Sequence, residues 1–128
     1  MSRAFQYATN LNIRTKTQDL PNFASVTNMN YMFQGATNLT GNFSGWNTAN
    51  VTDMSYMFQS ATNFNRPIET WNTSKVTNMS YMFQDVTSFN QPLNTWTGMD
   101  GKARWDVSKV TDMRYMFANA QAFDQELT

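Results

Sequence analysis

Val51-Thr52-Asp53-Met54-Ser55-Tyr56-Met57-Phe58-Gln59-Ser60-Ala61 is answered 25 residues later by Val76-Thr77-Asn78-Met79-Ser80-Tyr81-Met82-Phe83-Gln84-Asp85-Val86. The string also opens at Val26 and at Val110. Four copies within 128 residues mark a repeat protein, and the repeat decides the fold before any single residue does. Val26 to Val51 and Val51 to Val76 are each 25 residues. Val76 to Val110 is 34, one period plus nine. Trp46, Trp71 and Trp105 each stand five residues before the next Val, while Trp96 follows Pro92 as Trp71 follows Pro67. The surplus therefore lies near 97–105, between two alternative Trp positions.

One unit reads as four pieces. Val-Thr-Asn/Asp-Met is short, β-branched at its start and apolar at both ends, which suits a strand. In the next piece Met54, Met57, Phe58 and Ala61 fall at i, i+3, i+4 and i+7, the spacing of one helical face. Asp53 or Ser55 is placed to cap such a helix. Phe64-Asn65-Arg66-Pro67-Ile68 is extended, because the residue before proline avoids helical angles. Trp71-Asn72-Thr73-Ser74-Lys75 turns into the next Val. A unit this small cannot bury its apolar face alone, but stacked copies can. The expected fold is an α/β repeat, a β/α solenoid of about five coils of 25 residues forming one domain over 1–128.

Its divisions follow the repeat. Residues 1–25 are an atypical cap, in which Phe5-Gln6-Tyr7-Ala8-Thr9-Asn10-Leu11 matches Phe33-Gln34-Gly35-Ala36-Thr37-Asn38-Leu39. Residues 26–50, 51–75 and 76–109 are repeats, the last carrying the insert, and 110–128 is a partial repeat.

Nine Lys plus Arg balance nine Asp plus Glu, which gives no general pull toward nucleic acid or an acidic membrane. No run approaches the ~18 apolar residues of a membrane span, so membrane insertion is not expected. Met1-Ser2-Arg3-Ala4-Phe5 leads straight into polar sequence, so no export signal is expected. The chain has neither Cys nor His. That removes thiolate metal sites and the commonest general base. Asp53 and Asp112 stand two repeats apart with no other group to pair with them, and the Ser residues lack a His partner. The expectation is no enzyme, no cofactor and no metal.

The string V-T-[ND]-M-x-Y-M-F-x-x-[AV]-x-x-[FL]-N, with Trp71-Asn72-Thr73-Ser74 before it, resembles the 25-residue repeats of BspA-like bacterial surface proteins, including the repeat of mycoplasmal surface lipoproteins. The likeness runs from Phe5 to Leu127 apart from the insert. It implies a right-handed, leucine-rich-repeat-like solenoid, display on a cell or particle surface, and a role in adhesion. It carries no catalytic residues.

Two classes of function are expected. One is a non-enzymatic binding or adhesion module whose partner is a protein or glycan on another surface. The other is a structural unit that stacks on copies of itself through its terminal coils. The Met and Phe columns read as core, since a stacked interior repeats identical apolar residues. The Tyr column, with hydroxyls that want water or a partner, suits half exposure. The Trp row either closes the edge of the core or presents rings to sugars or peptides. The column Asn28, Asp53, Asn78, Asp112 is the nearest thing to a calcium ligand set, and a hydrogen-bonded ladder or cap is the plainer reading. The insert must loop out, and projecting loops on rigid repeats often bind. Candidate partner-binding residues are therefore Gly98, Asp100, Lys102, Arg104, Trp105, Trp96 and Trp71.

Overall fold

The repeated string folds as a ribbon of tight turns. In this computed structural model, which describes residues 3, 6–9, 12–13, 25–43, 45–97, 99–101 and 103–125, there is no helix among the described residues. The expected leucine-rich-repeat-like β/α solenoid is thus corrected on both of its elements. The strands are two residues long: β1 (Asn12–Ile13) pairs in parallel with β2 (Thr40–Gly41), and β3 (Trp96–Thr97) pairs antiparallel with β4 (Ala103–Arg104). The Val-Thr-Asn/Asp-Met pieces shrink to single-residue parallel bridges joining Asn28 to Asp53, Asp53 to Asn78 and Asn78 to Asp112.

The backbone shows why no helix forms. Tyr56 and Ser60 have φ of 58° and 61°. A helix needs φ near −63°, so two left-handed residues within five break it twice. The same pair recurs as Tyr31 and Gly35, Tyr81 and Asp85, and Tyr115 and Asn119. Met57 N–H donates to Met54 O at 3.2 Å, Gln59 to Tyr56 O at 3.2 Å, and Ala61 to Phe58 O at 2.9 Å. Tyr56 and Ser60 each occupy the third position of such a turn, where a positive φ marks type II. A left-handed L-residue costs roughly 1–2 kcal/mol, and the bonds below help to offset it.

The intervening amides face the next copy. Met54, Tyr56, Phe58 and Ser60 donate to the carbonyls of Asn78, Ser80, Met82 and Gln84 at 2.9–3.0 Å. Met29, Tyr31, Phe33 and Gly35 do the same toward Asp53, Ser55, Met57 and Gln59, and Met79, Tyr81, Phe83 and Asp85 toward Asp112, Arg114, Met116 and Ala118. Alternate amides therefore close turns within a copy and tie that copy to the next. A helix would spend these amides internally and leave the copies joined by side chains alone.

Side chains stack on this frame. Phe33, Phe58, Phe83 and Phe117 form a column with centroids 5.6–5.7 Å apart. Phe64, Phe89 and Phe123 form a second, and Trp46 lies 6.0 Å from Trp71. Met54, Met57, Phe58 and Ala61 are fully buried, as helical spacing also required, but the turn ribbon is what turns them inward. On the outer side Gln6, Gln34, Gln59 and Gln84 join amide to amide in a ladder. Thr48 and Thr73 are buried, and their hydroxyls donate across the copy boundary to Asn72 O and Asp106 O at 3.0 Å.

Candidate functional site

At the insert the chain leaves the stack between two core residues. Leu93 and Trp105 are both buried. Between them the backbone runs out through β3 and returns through β4, pairing Trp96 with Arg104 and Thr97 with Ala103. Gly101 (φ 75°) sits in the connecting turn, with open space where a Cβ would point. Thr95 Oγ1 donates to Trp105 O at 2.6 Å and fastens the base of the hairpin.

The two tryptophans at that base separate. The Trp105 indole donates to Ile68 O at 2.6 Å, one repeat on from the Trp71 indole, which donates to Phe43 O at 2.9 Å. Trp71 and Trp105 are buried, so neither ring face is open to a partner. Trp96 stays 41 % exposed while its N–H donates to Glu69 O at 2.8 Å. Met99, at the tip, is fully exposed. Asp100 and Arg104 form an ion pair at 2.8 Å. Together with Gly45, Trp46, Asn47, Thr48, Ala49, Thr70 and Asn72 they line a polar cleft of about 380 Å³. Gly98 and Lys102 lie outside the described residues. Of the seven candidates, the structure thus brings Asp100 and Arg104 together at the cleft, with Trp96 at the base of the same hairpin.

The Asn28–Asp53–Asn78–Asp112 column is occupied with its own loops. Asp53 Oδ1 accepts from Ser55 N and Oγ, and Asn78 Oδ1 from Ser80 N and Oγ, at 2.7–2.9 Å. Asp112 accepts from Arg114 through both backbone and guanidinium, and the Arg114 side-chain bond is the first cause of its lowered carboxyl pKa. With no helix to cap, these side chains close Asx turns. Among the described residues no three acidic side chains gather where they could share a cation.

A second surface is the outer face of the last copy. Met29, Met54 and Met79 are fully buried, yet Met113 in the same column is 43 % exposed. A largely apolar hollow of about 300 Å³ opens there, lined by Leu93, Thr95, Trp105, Val107, Met113, Met116 and Phe117. Sequence reading pointed to open ends but could not name these residues. The signal was that Met113 is the fourth Met of a column whose first three members are core.

A family model described as a Mycoplasma protein of unknown function, DUF285, matches residues 1–103 and again 99–128. No curated protein and no solved structure matches the chain.

Proposed function

We propose that this chain, which belongs to the DUF285 family, is a non-enzymatic, repeat-built binding module that engages a protein or glycan on another surface. The observation that carries the reading is the hairpin 96–104. It places exposed Trp96 and Met99 on a rigid stack, beside a cleft of amides, hydroxyls and the Asp100–Arg104 pair. Such a cleft offers directional donors and acceptors with an aromatic nearby, the chemistry that orients a sugar or an extended peptide. Loops on rigid scaffolds are also where binding residues concentrate. The resemblance of the repeated string to BspA-like repeats favours display on a cell or particle surface and an adhesive role.

The test is binding of the labelled chain to arrays of glycans and to intact cells. The hairpin variant Trp96→Ala/Met99→Ser and the cleft variant Arg104→Ala are run beside it. Capture that falls about tenfold or more in both, with unchanged melting, supports the reading. Capture unaffected by either variant, or no capture at all, removes it.

A further inference from the structure

The outer face of the last copy is shaped to receive another copy of the repeat, and we propose that Arg3 and the turn at Gln6 to Thr9 of a second chain are what docks there. The turn ribbon has one polarity. At each interface the ribbon N–H groups of one copy donate forward to the ribbon carbonyls of the next, while Thr52, Thr77 and Thr111, just before the ribbon, donate backward to Thr27, Thr52 and Thr77. The ribbon of the last copy therefore presents the N–H groups of Met113, Tyr115, Phe117 and Asn119, for which no acceptor stands above among the described residues. Two such ribbons brought face to face set donor against donor, whereas head-to-tail stacking keeps the polarity that the ribbons have inside the chain.

The tyrosine column points to the same occupant. Tyr31, Tyr56, Tyr81 and Tyr115 stack at 4.5–5.1 Å, and Arg3 closes the lower end with its guanidinium 4.3 Å from the Tyr31 centroid. At the upper end Tyr115 is 60 % exposed. A second chain placed one step above brings its Arg3 over Tyr115, so the guanidinium lies between two rings. The apolar hollow lined by Met113 and Phe117 adjoins this end of the column. One contact is missing. Gln6 continues the amide ladder at the lower end, but Ala118 stands where Gln34, Gln59 and Gln84 would extend it upward. A heterologous contact of this kind repeats, so oligomers grow rather than stop at a symmetric pair.

The experiment is sedimentation velocity of the full 128-residue chain across a wide concentration range. The expected result is a mass that climbs above 14.7 kDa with concentration. Tyr115→Lys sets a cation against the incoming Arg3 and should weaken association roughly tenfold or more, the scale of a desolvated cation–π contact. Ala118→Gln restores the ladder and should tighten association. Mixing Arg3→Glu with Tyr115→Lys should restore association that neither variant shows alone, because the intact Arg3 of one meets the intact Tyr115 of the other. A strict monomer for both the parent chain and Ala118→Gln overturns the proposal. So does association that Tyr115→Lys leaves unchanged, the outcome expected if the chain's own residues cover this face.

Discussion

Trp105 continues the column of Trp71: its backbone N–H donates to Trp71 O at 3.1 Å, and its indole bonds to Ile68 as the Trp71 indole bonds to Phe43. Trp96, nine positions earlier, is left on the outside of the hairpin. Two tryptophans that look interchangeable in sequence therefore differ in energetic role. Trp105→Ala removes a fully packed ring and should cost about 3–5 kcal/mol. Trp96→Ala removes a half-solvated ring and one hydrogen bond, and about 1 kcal/mol is expected. Urea denaturation of the two variants checks this. Equal losses would mean that the insert has been placed on the wrong side of the column.

Ser60 holds φ of 61° in the third position of a turn. Ser60→Gly removes a left-handed penalty of roughly 1–2 kcal/mol and adds about 0.5–1 kcal/mol of chain entropy to lose. The net expectation is a stabilisation of about 0.5–1 kcal/mol, with Ser60→Val destabilising. The opposite order in thermal melts would show that Ser60 is not left-handed.

Thr73 is buried, and its hydroxyl donates to Asp106 O in the next copy at 3.0 Å. Thr73→Val keeps the shape and removes the donor. About 1–2 kcal/mol should be lost, the cost of an unpaired buried acceptor. Thr52→Val removes an equivalent bond at an exposed position and should cost less than half as much.

The pH dependence has two ends. Bonds from Ser108, backbone first, hold the Asp106 carboxyl below its usual range, and the Arg114 side chain does the same for Asp112. For both, the folded value lies below the unfolded one. Their contribution is present above the ordinary carboxylate pKa of about 4 and lost as pH falls through the folded values. Tyr56 shifts the other way, first by desolvation and then by the neighbouring Tyr31. Its contribution is present below about pH 10 and is lost as pH rises through the higher folded value. Melting temperature should stay level between these limits. Tyr56→Phe should blunt the alkaline fall, and an alkaline fall of unchanged depth in that variant would reassign it.

The repeat itself, its 25-residue step and the inward columns were legible in the sequence, because a stacked interior needs like residues at like positions. The element type was not. Met54, Met57, Phe58 and Ala61 satisfy a helical face and a turn ribbon equally well, and the residue that separates the two is Tyr56. Its left-handed backbone carries no sequence mark, since tyrosine is not a residue that usually takes φ near 58°. Gly35 hinted at it at the other turn position, but Ser60, Asp85 and Asn119 replace that glycine elsewhere. The candidate site was legible as a broken period. Which tryptophan the hairpin carries outward depended on the Ile68 and Glu69 carbonyls, which no spacing rule reveals.

The central claim is that the amides of the turn ribbon bond between copies and not within a helix. Through-hydrogen-bond NMR couplings read this atom by atom. We expect Phe58 N–H to couple to the Met82 carbonyl and Tyr56 N–H to the Ser80 carbonyl, bonds of 3.0 Å each. A coupling from Phe58 N–H to the Met54 carbonyl, the i to i−4 bond of an α-helix, would contradict it.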